Sequence, residues 1–126
     1  MKKIALIAGI AALIATPVLA DVSAELSTAQ AHAGMSSTAA DLATAQKHLH
    51  HAVNCLVGPS GAGFDAAAGN PCAKAGNGAI ADSTDAAQKA KLEAAVKTAT
   101  PGLTGTDLAA TQAAAKATAD AVAAAK

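Results

Sequence analysis

His48, His50 and His51 fall within one four-residue run, and Cys55 follows four positions after the last of them. Neutral imidazole is the most frequent protein ligand for zinc, copper, nickel and haem iron, and thiolate is a further soft donor. Three of the chain's four histidines and one of its two cysteines are thus concentrated in a stretch otherwise dominated by alanine and leucine. That concentration points to binding rather than to a particular reaction.

Placed on a helix at about 100° per residue, Leu42, Leu49, Val53 and Leu56 form one apolar stripe. His48 and His51 are three apart and project together from the flank of that stripe, with Thr44 and Cys55 nearby and Asp41 at the margin. His50 points to the other side, towards Asn54 and Val57. One helix turn therefore offers a chelating pair, His48 and His51, rather than three ligands. Zinc prefers four donors, so others must come from elsewhere. His32 is the natural third histidine, and His50, Asp41 and Asp65 complete the candidates. A helix ending at Gly34 and a second one starting at Ser37 argue against His32, because His48 then lies roughly 16 Å along the axis from the hairpin end. The expectation is that His32 and His48 do not share one mononuclear site.

Haem is the other cofactor this donor set suggests, with Met35 and a histidine as the axial pair to test. Phe64 is the one aromatic residue available to line a porphyrin. Two further readings use the same histidines differently: a site shared across a homo-oligomer, where His48 and His51 of two copies meet, and a pH-sensitive interface. His50 alone reads as an incidental surface histidine.

The elements that must position these residues are helices. Apolar spacing predicts four: about 23–33, ending at Gly34; 37–57, capped by Ser36 or Ser37 and stopped by Gly58-Pro59; 83–98, capped by Asp82 or Ser83 and followed by the breaker Pro101-Gly102; and 107 to the C-terminus, capped by Thr106. The stretch 58–81 is rich in glycine and proline and predicts a long loop, of the kind that is functional or tied down. No strand pattern appears. The expected fold is all-α: a small three- or four-helix bundle whose glycine-rich loop is tied by one disulfide.

Cys55 and Cys72 are the pair for that disulfide. An even cysteine count in an exported chain argues for pairing, and the spacing is not the C-x-x-C of zinc or redox sites. Export is itself read from the N-terminus. Lys2 and Lys3 precede an apolar run from Ile4 to Ala15, then Thr16-Pro17 and the small-residue segment Val18-Leu19-Ala20. This is the three-part pattern of a cleaved secretory signal, too short for a stable membrane span. Residues 1–20 are expected to be removed, leaving 21–126 as one helical domain in the bacterial periplasm or extracellular space, with no membrane span.

Composition narrows the function classes. The nine basic residues are all lysine, and seven remain after the signal, against nine acidic residues. With no basic patch, and aromatic residues at 1 % of the chain, nucleic-acid binding is excluded. Large aliphatic side chains are scarce while alanine, the strongest helix former, is abundant, so the core is thin and calls for a staple, a ligand or a partner. No nucleophile–base–orienter set is visible, and the segment Gly58–Gly63 lacks the lysine of a phosphate-binding loop. The reading is an exported, non-enzymatic protein that binds copper, zinc, nickel or haem through its histidines. The alternative is an interaction module that self-assembles through alanine-rich helices.

Overall fold

A computed structural model describes residues 19–126. The proposed signal segment, apart from Leu19 and Ala20, lies outside the described residues. Among them the chain is all-helical: α1 (Val22–Ser37), α2 (Leu42–Val57), a single short turn α3 (Ala79–Asp82), α4 (Ala86–Leu103) and α5 (Leu108–Ala123). No strand is present among the described residues, and no helix there is long and apolar enough to cross a membrane.

Each long helix begins at an aspartate. Asp21, Asp41, Asp85 and Asp107 accept backbone N–H groups of the first turn, from Ala24, Thr44, Ala87 with Gln88, and Ala110 respectively. A carboxylate there satisfies an otherwise orphaned donor and complements the positive end of the helix dipole. The expected caps at Ser36 or Ser37, Asp82 or Ser83, and Thr106 are therefore corrected. Gly34 does not end the first helix: α1 continues through it to Ser37, and a Cβ at Gly34 would meet open space. Pro101 does not end the third long helix either. It sits within the last turn of α4, and Gly102 behind it makes a close contact that a Cβ would block, meeting Leu49 Cδ2 at 2.6 Å and Ala114 Cβ at 3.2 Å. The Gly102 carbonyl accepts from Gln46 Nε2 and Thr111 Oγ1, each at 3.4 Å, so side chains of α2 and α5 serve the helix end that proline weakens.

α1 packs on α2 and α5, and α4 packs on α5 and α2. Where the helices meet, the fully buried residues are largely alanines: Ala29, Ala33, Ala45, Ala52, Ala95 and Ala99. Methyl-sized side chains let neighbouring backbones come close, so contact area replaces side-chain bulk. The larger members, Leu26, Leu56, Leu92 and Val122 in one cluster and Leu49 and Val53 in the other, fill the remaining space. The predicted stripe is thus buried at Leu49, Val53 and Leu56, with Leu42 half-buried.

Residues 58–78 connect α2 to α3, and the turn α3 occupies the end of the stretch expected to be loop. Gly58 (φ 68°) and Gly78 (φ 107°) both adopt the left-handed region, and a Cβ on either would collide with backbone of the other's neighbourhood. The two ends of the connection therefore touch. Cys72, within it, is disulfide-bonded to Cys55 of α2.

Candidate functional site

α1 and α2 are antiparallel neighbours across the turn Thr38–Asp41. The fully buried Ser36 hydroxyl donates to the Ala45 carbonyl at 2.7 Å and fixes their register. Because the turn lies at 38–41, His32 comes level with His48. Their Nδ1 atoms face each other at 3.2 Å, and whichever ring carries the proton donates to the other. The rings are stacked with centroids 5.4 Å apart, and His51 meets His32 edge-on at 4.8 Å. The expectation that His32 and His48 cannot share a site is overturned. Its error lay in the helix ends, since moving the turn a few residues later shifts the residue opposite His32 from the start of α2 to its middle.

One ring nitrogen from each of His32, His48 and His51 lies within 4.8 Å of the others, and all three side chains are half-buried. Tetrahedral zinc at bonds of 2.0–2.1 Å spaces its nitrogen ligands about 3.4 Å apart. The His32–His48 separation of 3.2 Å suits it, and the widest separation in the cluster is within 4.8 Å.

The third ring is held by the connection. His51 Nε2–H donates to the Ala68 carbonyl at 2.7 Å. That bond places the proton on Nε2 and leaves Nδ1 as the free lone pair, which is buried and has no hydrogen-bond partner. A ring nitrogen donated to a carbonyl while the other faces the metal is the usual way a ligating histidine is oriented. Asn54 secures the carbonyl's segment. Fully buried on α2, it donates Nδ2 to the carbonyls of Asp65 (2.7 Å) and Gly69 (2.8 Å), and its Oδ1 accepts from Asp65 N at 2.9 Å. Its importance was missed in sequence; the signal was an amide inside an otherwise apolar run, Ala52 to Val57.

Electrostatics favour neutral imidazole. Burial lowers the pKa of His32, and the neighbouring His51 and His48 lower it further. Burial likewise lowers His48, with His51 and Lys47 adding to the effect. Both rings are thereby biased towards the form that coordinates metal.

Of the other sequence candidates, His50, Asp41 and Asp65 do not belong to the cluster. His50 turns to the far side, as expected, with Nδ1 3.5 Å from Asp65 Oδ2. Asp65 itself serves the turn, accepting from Ala67 N and Ala68 N. Asp41 is engaged as the N-cap of α2, its two oxygens accepting from Thr44 N and Thr44 Oγ1 at 2.8 Å each, and does not join the histidines. Met35 is 42 % exposed at the surface. A cavity of about 630 Å³ opens between the start of the connection, α3 and α4, lined by Val57, Ile80, Val96, Asp82, Glu93 and Lys97 among others, and no histidine reaches it. Neither feature supports the haem expectation. Both cysteines are in the disulfide, so no thiolate is available to a metal.

No family model matches this chain, and neither curated proteins nor solved structures include a match.

Proposed function

We propose that this chain is an exported helical bundle that binds one divalent transition metal ion, zinc, copper or nickel, through His32, His48 and His51. The observation that carries the reading is the convergence of three ring nitrogens, with His51 held through Nε2 by the Ala68 carbonyl and its buried Nδ1 left without a partner. Three imidazoles without thiolate suit borderline divalent ions. Export is supported by the Cys55–Cys72 disulfide, a bond that persists in oxidising compartments. Binding rather than catalysis is supported by the separation between the histidines and the cavity.

Coordination requires each ring to lose its proton, so protons compete with the metal. An ordinary imidazole begins this competition near pH 6.5, and His32 and His48 are held lower. Affinity for zinc is expected to be nearly flat from pH 8 to about 6.5 and to fall steeply only below that, by up to about tenfold per pH unit for each ring that protonates. The same shifts act on folding of the metal-free chain. The unfolded rings take up protons first, so the contribution of His32 and His48 to stability is present above pH 6.5 and lost as pH falls through their lowered values. Zinc titration with a competing chelator between pH 5 and 8 tests the binding profile. An affinity that does not change across that range contradicts coordination by these imidazoles.

A further inference from the structure

Glu25 occupies the first turn of α1 and is fully buried. Its Oε1 accepts from the Gly78 N–H at 2.8 Å, while Oε2 is buried and receives no hydrogen bond. The Asp82 carboxyl, from α3, lies beside it at Gly76, where an added Cβ would meet Asp82 Oδ2 and Glu25 Oε1 together. Asp82 in turn accepts from Asn77 N at 2.6 Å and from Asn77 Nδ2 at 3.4 Å. Gly76 passes directly against both carboxyl groups, and a Cβ there would strike each of them.

The charges that bear on Glu25 are Asp82 and, from the N-cap of its own helix, Asp21, while Glu93 and Lys97 of α4 line the same cavity as Asp82. Leu26, Cys55, Leu56 and Val122 of α1, α2 and α5 supply apolar packing around this end of α1, and Gln88 of α4 and Lys126 beyond α5 lie beside Val22, Ser23 and Leu26. Lys74 of the connection is exposed, and on α5 Lys116 is exposed and paired with Asp120. Two carboxyl groups this close, one of them fully buried, cannot both be ionised without strong repulsion, and a proton retained on the pair relieves it.

We propose that Glu25 and Asp82 share a proton, making a pH-operated clasp that holds segment 76–78 and α3 against α1 when Glu25 is protonated and loosens it when Glu25 ionises. Burial, the largest influence, opposed by the Gly78 N–H and reinforced by Asp82 and Asp21, pushes the Glu25 pKa up from 4.5 to about 7. Because the folded value lies above the unfolded one, the clasp's contribution to stability is complete below pH 4.5. It is lost progressively as pH rises to about 7 and is gone above that. This runs opposite to the histidines and does not involve them. Asn77 and Asp82 also line the cavity, so release of the clasp moves a cavity wall.

The test is carbon-13 NMR titration of the glutamate carboxyls in the intact chain, together with amide exchange at Gly78 in the wild type and in Glu25→Gln. The side-chain amide introduced by Glu25→Gln keeps an acceptor for Gly78 and offers Asp82 a permanent donor, so this variant imitates the protonated clasp. The expected result is a Glu25 carboxyl titrating near 7. Opening at Gly78, corrected for the intrinsic pH dependence of exchange, should rise by about tenfold or more between pH 5.5 and 8 in the wild type and stay flat in Glu25→Gln. A Glu25 carboxyl that titrates near 4.5, or identical opening profiles in the two proteins, overturns the proposal. If Glu25→Gln does not fold, the carboxyl titration of the wild type decides alone.

Discussion

Replacing His48 and His51 together by alanine is expected to abolish stoichiometric zinc binding, and replacing His32 alone to weaken it by about 100-fold or more. The second figure follows from a comparison. Removing a group that merely orients a ligand costs about 10- to 100-fold in affinity, and His32 contributes a ring nitrogen directly to the cluster. His50→Ala is the matched control. It lies two residues from His48 and next to His51, but faces Asp65 on the other side of α2, and its loss should leave affinity within about threefold. Isothermal titration with zinc, copper and nickel, combined with the oligomeric state of each variant by light scattering, separates the competing readings. Loss of metal uptake with unchanged mass supports coordination. Loss of assembly with no change in metal uptake places the histidines at an interface between chains.

Reducing the disulfide, or replacing Cys55 and Cys72 by serine, is expected to destabilise the chain by about 3 kcal/mol, the loop-closure value for a short ring, here with a sequence separation of 17 residues. Small domains are stable by only about 5–15 kcal/mol in total, and a core built mainly from alanine stands at the lower end. The midpoint of urea unfolding should therefore fall markedly with reductant. A second effect follows from the same covalent link. The connection that contains Cys72 also carries Ala68, whose carbonyl orients His51. Freed at Cys72 it remains held by Asn54, so zinc affinity in the reduced protein should fall by up to about 10- to 100-fold, as for loss of an orienting partner, rather than disappear. Unfolding midpoints that coincide with and without reductant would show that Asn54 and the Gly58–Gly78 contact hold the connection without the disulfide.

The helices could be read from the spacing of Leu49, Val53, Leu56, Leu92 and Val122, because a 3.6-residue period survives even when most intervening residues are alanine. The division of the histidine run, with His48 and His51 on one flank and His50 on the other, came from the same geometry. The disulfide was legible from the count of cysteines. What was not legible was the register of the α1–α2 hairpin. Gly34 looked like a terminator, yet a glycine inside a helix costs only about 1 kcal/mol, which tertiary packing readily overrides. Asp41 looked like a metal ligand and is the N-cap. Ending the first helix at Gly34 and starting the second at Ser37 instead of after Asp41 moved the turn towards the N-terminus, and in an antiparallel hairpin a displaced turn moves every facing pair by twice the displacement. That separated His32 from His48 on paper by several turns of helix. Pro101 was misjudged for a related reason: Gln46 and Thr111 serve the carbonyl of Gly102 from other helices, and such contacts leave no local trace in the sequence. Glu25 was invisible for the same cause, since its burial depends on segment 76–78, more than fifty residues away.

The most direct measurement is the metal content of the protein isolated without chelators, by elemental analysis, followed by titration of the metal-free form with zinc, copper and nickel. The account predicts one ion per chain, retained above about pH 6.5 and absent from the His48→Ala, His51→Ala variant. A protein that is isolated free of metal and takes up none of the three ions at neutral pH contradicts it.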